Sequence, residues 1–140
     1  MSEILIAFGI IMLLIALNGM YVAAEFAIIG VRPSRVEQLA QGGNRTAIGI
    51  RETIKAAPKR DRYIATAQLG ISLASLGLGM YGEPAIAHLL EEPLHDWFGL
   101  EGDIVHTITF IIALAFMTYL HVVVGEMIPK SLALQNAERV

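Results

Sequence analysis

The sequence has no cysteine, which excludes disulfides and thiolate metal centres. Charge is scarce as well. Only 16% of residues are charged and 55% are apolar, against about 25% charged in ordinary soluble domains. No Lys or Arg precedes the first apolar run. The basic leader of a secretory signal is therefore missing, and an uncleaved span with its N-terminus outside is expected. Catalytic signatures are missing too: there is no nucleophile elbow, no HExxH and no phosphate loop. "GLGMYG" has no strand before it to make it a nucleotide turn. No water-activating pair is evident, so an enzyme is not expected.

Long apolar runs are present instead. Ile4 to Ala24 is nearly unbroken, with Asn18 its strongly polar residue. Tyr63 to Tyr81 carries no charge and is rich in Gly, Ala and Ser. Ile104 to Gly125 is a third run. Each approaches the ~20 residues that cross ~30 Å of hydrocarbon. The mean hydropathy of +0.60 agrees. The expectation is an all-α polytopic membrane protein, with spans at about 4–31, 63–81 and 104–128 and short juxtamembrane helices.

Charge sets the expected orientation. Eight of the ten basic residues fall between Arg32 and Arg62, and none falls in the acidic stretch 83–103. The positive-inside rule places the basic loop 32–62 in the cytoplasm and the acidic loop outside. Lys130 and Arg139 place the C-terminus inside, in an inner (plasma) membrane. Within the basic loop, "RPSRVEQLAQGG" has a start signal at Pro33-Ser34, an apolar stripe of Val36, Leu39 and Ala40, and a stop at Gly42-Gly43. "NRTAIGIRETIK" places Ala47, Ile48, Ile50 and Ile54 at helical spacing. Two amphipathic helices on the membrane surface fit, their arginines towards headgroups; a solvated basic linker is the alternative. Topology accounts for this charge without nucleic acid. On the acidic side, Trp97-Phe98 is an expected interfacial anchor, and His88 and His95 are read as solvated.

Ionisable groups inside a membrane are costly and usually functional. Glu25 and Glu126 need explaining. Counted from the ends of the runs, Glu25, Gln68 and Glu126 fall at one depth, and Asn18, Ser72 and Ser75 at the next. Pro129 has no N–H, so the Gly125 carbonyl four residues earlier loses its usual donor. Gly125 also permits a local bulge. "GEMIPK" thus offers a carboxylate and a carbonyl, the oxygens that hard cations take. The plainer alternative is a span that ends at Pro129, with Glu126 reaching water and Lys130 pairing with it at the headgroups. His121 shares no helical face with Glu126 and is read as packing or interfacial. Gly70, Ala74, Ser75, Gly77 and Gly79 give span two a small-residue face that favours close helix approach. Three helices enclose little, so a homodimer is expected.

Together, "LNGMYVAAEFAIIGVRPSRVEQLAQGG", "ATAQLGISLASLGLGMYGEPAIA" and "LHVVVGEMIPKSLALQNAE" resemble the transmembrane domain of the CorC / cyclin M (CNNM) family, in its hemolysin-like bacterial branch. The resemblance covers nearly the whole chain. It implies a homodimer of three spans with juxtamembrane helices, moving Mg²⁺, mainly outwards, with Na⁺ coupling proposed. It also implies an inward-facing acidic cavity, in which Glu126 and a nearby carbonyl of the kinked third span hold the ion.

Two departures stand out. Better-studied members carry serines before the first-span glutamate, where this chain has Val22 and Ala24. They carry asparagine in span two where it has Ile71. The candidate oxygens are then Glu126, Gly125, Glu25, Asn18, Ser72, Ser75 and Gln68. Some relatives are linked to export of cadaverine and putrescine, which an acidic cavity suits equally. Full-length relatives continue into cytoplasmic CBS modules, which bind adenine nucleotides, and a small C-terminal domain, neither of which lies in this chain. A non-transporting membrane anchor or regulator for those modules is the remaining expectation.

Overall fold

The computed structural model describes residues 2–98 and 103–137, with their side chains except those of residues 2, 3, 92, 95, 97 and 98. The expected anchor at Trp97-Phe98, His95 and Arg139 lie outside the described side chains. Among the described residues every regular element is helical: α1 (Ser2–Gly30), α2 (Pro33–Gln41), α3 (Arg45–Lys55), α4 (Ala57–Gly77), α5 (Glu83–Phe98), α6 (Asp103–Leu120) and α7 (Ile128–Gln135). A π-turn at Leu78–Gly82 joins α4 to α5, and a second at His121–Met127 joins α6 to α7. Three continuous helices are long and apolar enough to cross a membrane: Ile4–Gly30, Ala57–Glu91 and Asp103–Gln135.

Two of these outrun their expected limits. The second begins at Ala57, not Tyr63, because Pro58 sits in its first turn, where a missing N–H costs nothing. The third passes through Pro129 to Gln135, because Pro129 opens α7 just after a π-turn. Glu126 therefore lies well inside a helix, about 13 Å from its end at 1.5 Å per residue.

α1 is the centre. It packs against α4 on one side and against the second π-turn and α7 on the other, while α5 packs on α6. The small-residue face of α4 makes this possible. Gly70 lies under the ring of Tyr21, and Gly77 lies against Leu14; Ala74 is buried. Ile11, Ile15, Leu78 and Met117 form the apolar core. Leu5, Leu13, Leu69, Leu73 and Phe116 point outwards, as a lipid-facing belt does.

The basic loop folds as a helical hairpin. α2 buries Val36 and Ala40. It stops where Gly43 takes φ of 82°, a conformation that favours glycine. The Asn44 side chain then caps α3, accepting from the Ala47 N–H at 3.1 Å, which supplies one of the orphan donors of a helix start. Glu37 ties the two helices together, accepting from Lys55 Nζ at 2.7 Å and Arg51 at 3.3 Å. The Lys55 hydrogen bond, helped by the charges of Lys55 and Arg51, holds the Glu37 carboxyl below its ordinary range. A depressed carboxylate stabilises the fold at pH above the ordinary glutamate range, and that contribution is lost as pH falls through the depressed value. Protection factors for amide exchange in α2 and α3, which correct for the slower intrinsic exchange in acid, should therefore fall on acidification, and in Glu37→Gln they should already be reduced at neutral pH.

Candidate functional site

Among the described residues, the candidate oxygens enter three contacts between helices. Asn18, fully buried on α1, donates through Nδ2 to the Gly125 carbonyl at 2.8 Å. Gln68 on α4 donates to Glu25 Oε1 at 3.3 Å. Ser75 Oγ lies 3.1 Å from His121 Nε2. Ser72 is exposed on α4.

The bulge expected at Gly125 is present as the π-turn His121–Met127. π-turns are often found at functional positions. The expected bare carbonyl is not: Asn18 replaces the donor that Pro129 lacks. A carbonyl has two lone pairs, so Gly125 keeps one acceptor position. The oxygen without a partner is instead Asn18 Oδ1, buried and accepting from nothing among the described residues. An amide that spends its N–H on a carbonyl and leaves its own oxygen orphaned carries a cost of about 1–3 kcal/mol. A cation relieves such a cost.

The expected depth alignment changes as well. Gly125 and Glu126 sit level with Asn18, whereas Glu25 pairs with Gln68 two turns further along α1, about 10 Å away at helical rise. The acids thus occupy two stations. Glu25 is 8% exposed and bonded within the chain. Glu126 is exposed on the third span, and Lys130 does not neutralise it. That ammonium sits over the Phe26 ring, 4.4 Å from its centroid, a cation–π contact. Among the described residues no three His, Asp or Glu side chains converge as metal ligands would.

His121, expected to be packing or interfacial, lies against Ser75 one turn from Gly125. Its signal was its place inside an apolar run. Val22, which replaces a hydroxyl of better-studied members, is 1% exposed and is part of the packing. On the acidic side, His88 is 85% exposed, 3.7 Å from Glu91. That agrees with the solvated reading.

The chain matches the family model described as the cyclin M transmembrane N-terminal domain over residues 9–140. It is 47% identical to the UPF0053 protein YhdP of Bacillus subtilis over 94% of this chain and 29% of that protein. It is 48% identical to the UPF0053 protein YhdT of the same organism over 90% of this chain and 26% of that protein. An uncharacterized Mycobacterium tuberculosis protein, Rv1841c, is 39% identical over 98% of this chain and 37% of its own length. The chain thus spans about a third or less of the length of these relatives. No solved structure matches it significantly. A match over nearly the whole sequence, on a three-span helical bundle, makes the chain a member of the cyclin M transmembrane family.

Proposed function

We propose that the chain is the transmembrane part of a cation transporter, with Mg²⁺ moved out of the cytoplasm as the best-supported cargo. One observation carries this reading: an exposed carboxylate, Glu126, stands inside a span beside the Asn18–Gly125 junction and its orphaned amide oxygen. A bare carboxylate facing lipid is untenable. Glu126 must face water or another copy of the chain, and a homodimer about this face turns two such carboxylates into one acidic cavity. Mg²⁺ would take Glu126, Asn18 Oδ1 and the free lone pair of Gly125, keeping several waters as it usually does. Ser72 and Ser75 lie one layer along. Glu25 and Gln68 form a second station towards the basic side, suited to a coupling ion such as Na⁺. The basic hairpin marks the cytoplasmic side.

A second reading has its own support. Two carboxylates stationed about 10 Å apart along the bundle suit a two-headed cation such as putrescine or cadaverine, and Val22 removes an oxygen that Mg²⁺ would use. The test is equilibrium Mg²⁺ binding to the purified chain in detergent, with putrescine as competitor. Saturable Mg²⁺ binding that putrescine displaces weakly supports the first reading. Putrescine binding without Mg²⁺ binding replaces it with the second. Binding of neither favours a membrane anchor for cytoplasmic modules.

A further inference from the structure

Where α1 reaches the basic side, α1, α3 and the first turns of α4 line two adjoining cavities of about 470 Å³ and 400 Å³. Tyr63 is common to both, with Ala24 and Thr53. Its hydroxyl reaches the Ala24 carbonyl at 3.4 Å. The walls of the larger cavity are mostly apolar, with Met20, Ala27, Ile28 and Ile50 among them, and Arg45 lies at its edge. Lys59 and Arg62 line the smaller one. Lys59 pairs with Glu52 at 3.4 Å. Arg45 and Arg62 have no carboxylate partner among the described residues, unlike Arg51 and Lys55 of the same hairpin, which Glu37 holds.

We infer that this groove is a binding site for an anionic phospholipid, with the acyl and glycerol portion against the apolar walls and the phosphate between Arg45 and Arg62. Three features converge on that occupant. The groove lies at the end of the spans, where hydrocarbon gives way to headgroups. Its walls are apolar where a chain would lie. Its uncommitted groups are guanidinium ions, whose fork geometry matches phosphate oxygens. A zwitterionic lipid brings a quaternary ammonium close to both arginines along with its phosphate, and a soluble anion leaves the apolar walls wet. The site does not depend on which cation the spans carry.

The test is lipid retention by the chain purified from vesicles of equal phosphatidylglycerol and phosphatidylcholine, read by native mass spectrometry. Bound lipid should be enriched in phosphatidylglycerol by about fivefold or more, the ratio expected of a single basic side chain near an anionic surface. Arg45→Gln with Arg62→Gln should return the ratio to near unity. Gly49→Leu tests the groove itself. Gly49 lines the larger cavity and a Cβ there meets nothing within 4 Å, so a leucine there takes up groove volume and should lower retention with every charge intact. Unchanged helicity by circular dichroism qualifies each variant. Equal enrichment in the arginine variant overturns the site. So does loss in the arginine variant with full retention in Gly49→Leu, which would make the effect one of surface charge alone.

Discussion

Glu126→Gln is expected to abolish saturable Mg²⁺ binding, lowering affinity on the order of 100-fold or more, with the helical fold unchanged. Even groups one shell away from a metal account for about 10–100-fold in affinity, and this change removes the only full charge at that station. Stability should move by less than about 0.5 kcal/mol, as is usual for exposed positions without internal partners; Glu126 is exposed and its side chain has no hydrogen-bond partner among the described residues. Asn18→Leu gives a contrasting signature. It strands the Gly125 carbonyl, at about 1–3 kcal/mol, but it also deletes the orphaned Oδ1 and adds apolar burial, so the apo fold changes little on balance. What disappears is the added stability that Mg²⁺ confers by binding the folded state. Melting curves with and without Mg²⁺ separate the cases. Wild type should gain stability with Mg²⁺, and both variants should not. Wild-type gain in Glu126→Gln would remove Glu126 from the site.

The fold was largely legible in the residues, and the reasons are local. The three spans follow from uninterrupted apolar runs. The hairpin follows from Pro33, the Val36–Ala40 stripe and the paired glycines, which end α2 where expected. The bulge at Gly125 was readable from a glycine and a proline four residues apart. The misjudged quantities are those that depend on where a helix stops. Apolar runs do not mark the helix limits: Pro58 starts a helix and Pro129 is carried by a π-turn, so both helices extend beyond their apolar centres into charged and polar ends. Counting depth from those ends put Glu25 level with Glu126.

Partners across helices were not legible at all. The Asn18–Gly125 bond joins residues 107 apart in sequence. A proline at 129 announces that a carbonyl has lost its donor, but nothing local says that an asparagine in the first span replaces it. The same holds for Ser75 with His121 and for Glu25 with Gln68. Of the candidate residues, Asn18, Gly125, Glu25, Gln68 and Ser75 make contacts between helices, whereas Ser72 and Glu126 are exposed; the sequence does not say which meets which. The pairing matters for mechanism. Asn18 ties α1 to the π-turn, so a cation that recruits its free oxygen is coupled to the geometry of both spans.

That tie rests on close packing at Gly19, and Gly19→Ala should disrupt it. A Cβ at Gly19 would lie 2.9 Å from Pro129 Cγ and 3.7 Å from the Gly125 carbonyl oxygen. The proline ring cannot swing aside as a flexible side chain does, so α1 and the third span must part. The expected cost is about 1–3 kcal/mol of overpacking, and the Asn18–Gly125 bond one residue away should lengthen with it, taking Mg²⁺ affinity down. Gly82→Ala is the informative comparison. Its Cβ meets Met117 Cε at 2.6 Å, which is nominally worse, but that atom is the free end of an adaptable side chain, and the cost should be small. Gly9→Ala meets nothing within 4 Å and should be neutral or mildly stabilising, by up to about 1 kcal/mol from helix propensity. The decisive variant is Gly19→Ala combined with Pro129→Ala. Removing the ring restores room, so the double mutant should be more stable than the two single losses predict, with a coupling energy of about 1 kcal/mol or more. Additive losses would mean that Gly19 and Pro129 do not press on each other, and that the Asn18–Gly125 bond is held by some other contact.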